Sequence, residues 1–352
     1  FSKKNLKALK KLSRFKFIIS TDKASFLELS EIFIGTGLNE YEFEICLIDN
    51  SLDRIKTKKY GPEKYRHVTF AQNKVLNLAQ LEHFKFFVPL YADFILPEDF
   101  IRNISQAFKT NKRVFLTLVP AVETKAMYNH LHRHLASIQN GHLTKSQIKK
   151  MIYKCLHPLF YLSIDGYSDD FHPIGPYIGI GNKESFDVKS MHYHPIYIRL
   201  TDNLIKPFIG TIDENLILTM ELNGENTQFN TLDFITIASA MDSDFKMPYR
   251  SSSDHLSFYT DRIKHSNAID QIKFLLQHTN NFHFRRGKRS KKNSIKLDLF
   301  TQKLFSQIDR KPLITKLPFT IRTLLIAKPI LPLLSKIIPT IIKRRFARSI
   351  PL

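Results

Sequence analysis

The sequence has no tryptophan, only two cysteines and 11 glycines among 352 residues, and its 32 Asp and Glu are outnumbered by 53 Lys and Arg. Cys46 and Cys155 each stand alone in an apolar run. That excludes a disulfide framework and a paired-cysteine zinc site, and it favours a reducing, cytoplasmic setting. No P-loop or GxGxxG pattern occurs; the glycines around residues 178–182 read as a close-packed strand and turn. Zinc-finger, helix-turn-helix and RNP signatures are missing too, which disfavours nucleic acid as a partner despite the formal charge of +21. No signal-peptide pattern is recognised at the start. What is present is apolar: a hydrophobic fraction of 43% with 29 Phe is too high for a disordered polyelectrolyte, and the length suits one large domain or two ordinary ones.

The positive charge is unevenly placed. Residues 281–352 hold 18 Lys and Arg against Asp298 and Asp309 alone, so the first 280 residues are close to ordinary in charge. FHFRRGKRSKKNSIK (282–296) is a charge run that stays solvated until it meets an anionic surface. Beyond it, LLIAKPILPLLSKIIPTII (324–342) approaches a bilayer-spanning length, but Lys328, Lys336 and three prolines oppose a spanning helix. Short amphipathic pieces in the interface, with KRRFAR (343–348) against anionic headgroups, satisfy both features. A core-packing subdomain is the alternative. The expected organisation is a basic leader at 1–14, a main domain at 15–250 with halves 15–122 and 123–250, a helical basic linker at 251–311, and an amphipathic membrane-associating tail at 312–352.

Apolar runs and helical spacing alternate through the first half. Strands are expected at 15–20, 42–51, 67–72, 85–96 and 112–122, with helices at 24–38, 73–84 and 97–111. Such βαβ alternation predicts a mainly parallel sheet flanked by helices, with ligands at the carboxyl ends of the strands. The polar residues at those ends are Ser20 and Thr21; Asp49, Asn50 and Ser51; and Asp93.

The series IISTD, CLIDNSLD and NKVLNLAQLEHFKFFVPLYADFILPEDFIRNI resembles the nucleotide-binding half of GT-A glycosyltransferases of the family-2 type, over about 110 residues. The resemblance implies a Rossmann-like GT-A fold and a nucleotide-sugar donor. It puts Ser20, Thr21, Asp49, Asn50, Ser51, Asn73, Asn77 and Asp93 at the donor. Those enzymes carry a DxD strand whose carboxylates hold a divalent metal on the donor diphosphate. Here the triplet is Tyr91-Ala92-Asp93. Two arrangements remain open: Mn²⁺ or Mg²⁺ held by Asp93 with a residue from elsewhere, such as His192 or His194, or Lys and Arg in place of the metal. Without a ligand, Asp49-Asn50-Ser51 reads equally as an Asx-type turn and Asp93 as a turn acid.

The middle segment carries further acids and histidines. In HYHP (192–195) the two imidazoles share one side of an extended strand, suited to a metal or a phosphate, or simply satisfied at a strand edge. An inverting sugar transfer needs a carboxylate to take the acceptor hydroxyl's proton. Asp213 and Glu214, then Asp169 and Asp170, are the candidates, with helix capping the alternative for Asp213. In YNHLHRHLAS, His130 and His134 share a helix face but lack the Glu of HExxH. Together these readings predict a glycosyltransferase peripheral on the inner membrane, acting on a glycan or lipid-linked acceptor. The rivals are a non-catalytic membrane adaptor on a degenerate scaffold and a basic nucleic-acid-binding protein.

Overall fold

A computed structural model describes residues 3–21, 31, 42–47, 63–137, 144–167, 175–200, 205–231, 237–241, 255–283 and 291–309, apart from residues 10, 13, 92, 209, 265 and 267. The chain divides into two compact units, residues 1–302 and 303–352; in the second only the end of one helix, 303–309, is described. Apart from residue 31, the helix expected at 24–38 lies outside the described residues, as does the tail at 312–352.

The chain begins with helix α1 (Lys3–Leu9) and strands β1 (Phe17–Thr21) and β2 (Phe43–Leu47), which pair in parallel with Phe17 opposite Phe43. Then comes α2 (Glu63–Leu81). The strand expected at 67–72 is part of this helix: Thr69, Leu76 and Ala79 recur at helical spacing on its buried side, so the period of the whole segment overrides a short apolar run. The strand expected at 85–96 is two short ones, β3 (Phe86–Phe87) and β4 (Phe94–Ile95), separated by a bend that contains Pro89. Next are α3 (Phe100–Ala107), β5 (Val114–Thr117) and β6 (Ala121–Glu123); Pro120 divides what was expected as one strand at 112–122.

Helices α4 (Thr124–Ser137) and α5 (Lys145–Lys154) follow, the second opened by a capping box between Thr144 and Gln147. Strands β7 (Ile164–Asp165), β8 (Tyr177–Gly181), β9 (Ser185–Ser190) and β10 (His194–Arg199) fill the middle. After them come β11 (Thr227–Phe229), β12 (Ala238–Met241), α6 (His255–Lys264), α7 (Ile269–Leu275), β13 (Asn280–His283) and α8 (Lys291–Asp309).

The fold is α/β, but the described sheets are mixed rather than mainly parallel. In the sheet ordered β11-β5-β10-β3, β11 runs parallel to β5 while β10 lies antiparallel between β5 and β3. A second sheet, β4-β12-β6, has one antiparallel and one parallel pair. The third, β13-β9-β8-β7, is built on the hairpin β8–β9. At that hairpin Gly181 is required: a Cβ there would sit 2.4 Å from the Cα of Phe186. The expectation failed because βαβ alternation stops at β5, and the later strands enter by hairpins and returns.

Packing crosses both expected boundaries, at residues 14 and 250. Asn5 of α1 is buried; its amide donates to Pro97 O (2.9 Å) and its carbonyl accepts from Ile101 N (2.9 Å), meeting donors and acceptors at the start of α3. β13 adds to β9 within the third sheet, and Phe282 stacks on Phe186 with ring centroids 4.7 Å apart. Among the described residues no helix is long and apolar enough to cross a membrane.

Candidate functional site

One edge of α2 is polar, and it holds an extended segment by its backbone. Thr69 Oγ1 donates to Gly210 O (2.7 Å) and accepts from Gly210 N (3.1 Å). Asn73 donates to Phe208 O (2.8 Å) and accepts from Phe208 N (3.0 Å), and Gln72 Oε1 accepts from Ile212 N (2.9 Å). Positions 69, 72 and 73 share a helix face. Their bonds fix the path of 208–212, and with it the next residue, Asp213. There the chain turns into a π-helical turn, Ile212–Leu216, in which Leu216 N reaches back to Thr211 O (3.1 Å). Such turns are rare and recur at functional sites.

The Asp213 carboxylate is not a helix cap. Its Oδ1 accepts from the Tyr91 hydroxyl (3.0 Å), and its Oδ2 lies 3.0 Å from His192 Nε2 and 4.0 Å from His194 Nδ1. The first histidine contact is a hydrogen bond; the second is too long to be one. Burial alone would push this carboxyl up, but the His192 bond and the His192 and His194 charges together hold it well below the usual carboxylate range. Asp213 therefore stays ionised.

Each partner is itself positioned. Gln72 Nε2 donates to the Tyr91 hydroxyl (3.0 Å), so one Gln side chain orients both Tyr91 and the backbone before Asp213. Burial, then the Asp213 charge, push the Tyr91 phenol far above its ordinary range, which keeps it a neutral donor. His194 opens β10 and is 4% exposed by side chain. Its Nε2 lies 3.0 Å from Pro89 O, a bond in which the ring donates, and Nδ1 has no hydrogen bond. The rings of Tyr91 and Phe94 meet the His194 ring edge-on at 4.9 and 4.6 Å. His192, half-buried, is fixed through its backbone: its N–H donates to Ser190 Oγ (2.9 Å) and its C=O accepts from the same hydroxyl (2.6 Å).

Of the residues predicted from sequence, the structure thus assembles Asp213, His192 and His194, with Tyr91 bonded to the Asp213 carboxylate. Asp93 is exposed, and its carboxylate accepts from Ser239 Oγ of β12. Asn73 is tied to the 205–212 segment, and Asn77 is exposed on α2. Ser20 and Thr21 end β1; Thr21 is buried, and Ser20 Oγ is buried without a hydrogen-bond partner among the described residues. Asp49, Asn50, Ser51, Asp169 and Asp170 lie outside the described residues, as do the side chains of Glu214 and His134. Sequence reasoning missed Gln72 and Ser239, and nothing in their local pattern marks them.

The expected metal ligands do not form a centre. Among the described residues no three His, Cys, Asp or Glu side chains are grouped to hold a metal ion. Asp93 is engaged by Ser239, and the histidines turn to Asp213. Compared with known proteins, the chain matches no family model, and no curated protein or solved structure is significantly similar to it.

Proposed function

We propose that the chain is a glycosyltransferase moving a sugar from a nucleotide-diphosphate donor to a hydroxyl of a glycan or lipid-linked acceptor, with Asp213 and His192 together as the proton-accepting pair. The observation that carries the reading is the convergence of Tyr91, His192, His194 and Asp213 from three distant stretches. Those stretches are the ones the GT-A resemblance marks: the degenerate DxD triplet and the acid and histidine segments of the acceptor half. The α/β fold, with Ser20 and Thr21 at the end of a parallel strand, supports it further.

A carboxylate held well below its usual range is a weak proton acceptor by itself. Beside an imidazole it orients the ring and stabilises the imidazolium, so the imidazole takes the proton. In the reaction the acceptor oxygen forms its bond to the anomeric carbon as the bond to the diphosphate breaks. The hydroxyl proton passes to the pair, and the nucleoside diphosphate leaves with the bonding electrons. Tyr91 and Gln72 keep Asp213 in place.

The Tyr91–Asp213 bond also fits a second reading, a non-catalytic adaptor on the same scaffold, because a tyrosine replaces an acid of the triplet. One set of measurements separates them. UDP, GDP and CMP are titrated calorimetrically, and donor-sugar hydrolysis is followed in wild type, Asp213→Asn and His192→Asn. The enzyme reading expects one nucleotide to bind all three proteins alike, with turnover falling by about 10²–10⁴ in both variants. Absence of turnover in the wild type supports the adaptor; no binding of any nucleotide refutes the enzyme reading.

A further inference from the structure

We propose that the outward face of α8 is a membrane-contact surface for anionic phospholipid headgroups. The inference is independent of the sugar-transfer reading. Within the first unit, α8 has two opposite faces. Residues 294, 297 and 301 point inward: Leu297 and Thr301 are buried and Ser294 Oγ donates to Asp187 Oδ2 (2.6 Å), while the exposed Asp298, at the flank of that face, pairs through Oδ1 with the buried Lys189 ammonium (2.9 Å). Asp187 and Lys189 are alternate residues of β9 and so share one face of that strand. The helix is thereby pinned to the sheet by two polar contacts and an apolar ridge.

Residues 292, 295, 296 and 299 form the other face at the same i, i+3, i+4, i+7 spacing. Ile295 is 58% and Leu299 52% exposed, and Lys292 and Lys296 are exposed beside them. Two adjacent large aliphatic side chains between lysines make this face amphipathic, and the flanking charge sets the partner it suits. Asp298, the acid nearest this face, is held by Lys189. The segment entering the helix, RRGKR at 285–289, adds four further bases in the sequence. Aliphatic side chains flanked by lysines on a rigid helix match an interfacial anchor: the stems enter the acyl boundary while the ammonium groups meet anionic headgroups. A second copy on this face would set lysines against lysines, and a nucleic acid would leave Ile295 and Leu299 in water.

The test uses the full chain in co-sedimentation with phosphatidylcholine vesicles, with and without phosphatidylglycerol. Wild type should bind only the anionic vesicles, and Ile295→Gln with Leu299→Gln should weaken that partition about tenfold. Both positions are exposed and Gln is a good helix former, so circular dichroism should be unchanged. A polarity-sensitive thiol dye on Leu299→Cys should shift to the blue on anionic vesicles, whereas the same dye on the exposed Glu184→Cys should not. Unchanged partition in the double variant, absence of vesicle binding, or a blue shift that depends on protein concentration alone would each overturn the proposal; the last would indicate a contact between copies. RNA retention that the double variant loses would overturn it in favour of a nucleic-acid surface.

Discussion

Asp213→Asn tests whether the Asp213 cluster is held by charge. The carboxylate takes hydrogen bonds from Tyr91 and from His192. Bonds to a charged acceptor contribute about 1.5–3 kcal/mol each, against about 1 kcal/mol for neutral ones. The amide keeps one neutral acceptor and removes the cost of burying a charge, so the expected loss at neutral pH is about 2 kcal/mol. The pH dependence is more diagnostic. Asp213 is lowered from an ordinary 3.8, so its contribution is complete above that value and is lost as pH falls through 3.8 towards the folded-state value. While the native carboxyl stays ionised and the unfolded one is protonated, each pH unit removes about 1.4 kcal/mol. The gap between wild type and variant should therefore narrow by about 1 kcal/mol on going from about pH 5 to about pH 3. Urea denaturation of both proteins across that range measures it, because every other carboxylate titrates in both and cancels. A gap that is zero at neutral pH, or constant down to about pH 3, refutes the reasoning.

Other substitutions read other parts of the assembly. Tyr91→Phe removes the donor to Asp213 and the acceptor of Gln72, and should cost about 2 kcal/mol in urea unfolding while leaving the circular dichroism spectrum unchanged. Asn73→Ala cuts both bonds to Phe208 and the one to Thr69 O; it should cost about 2–3 kcal/mol by the same measurement and loosen Asp213, seen as faster amide exchange at 208–213. Phe186→Ala empties a fully buried site between Phe160 and Phe282 and should cost about 3–5 kcal/mol. Burial, then the Glu123 charge, push the Cys155 thiol up to about 11; iodoacetamide near pH 8 should modify it, by peptide mass, only after unfolding.

The sequence made some of this legible and hid the rest for identifiable reasons. β1 and β2 were visible because each is a short apolar run bounded by polar residues, and they pair in parallel. The strand expected at 67–72 failed because six residues are too few to choose between periods, while α2 makes its period plain over 19. Alternate spacing placed His192 and His194 on one side of a strand, but only His194 lies in β10, and the spacing gave no sign that both rings would approach Asp213. That approach depends on contacts between residues more than a hundred positions apart, such as Asn73 with Phe208 and Gln72 with Ile212. Gln72 carried no signal at all, since a glutamine on a helix is ordinary until its neighbours are known.

The tyrosine at position 91 also has a physical reading that depends on Asp213. An acid at position 91 could meet Asp213 only as a like charge in a half-buried site, and two such carboxylates do not both ionise when close. Tyrosine supplies a donor instead, long enough to reach across to Asp213 Oδ1 and take a second bond from Gln72. Replacing it with an acid, Tyr91→Asp, should therefore not create a metal site. The shorter side chain would leave Gln72 and Asp213 without their shared partner and place a second negative charge in the site. The expected outcome is a loss of stability larger than that of Tyr91→Phe at neutral pH, with part of the excess recovered as pH falls and the added acid is protonated. A Tyr91→Asp protein as stable as wild type, and further stabilised by Mn²⁺ in a thermal melt, would show that the tyrosine is incidental and that the fold accepts a pair of carboxylates there.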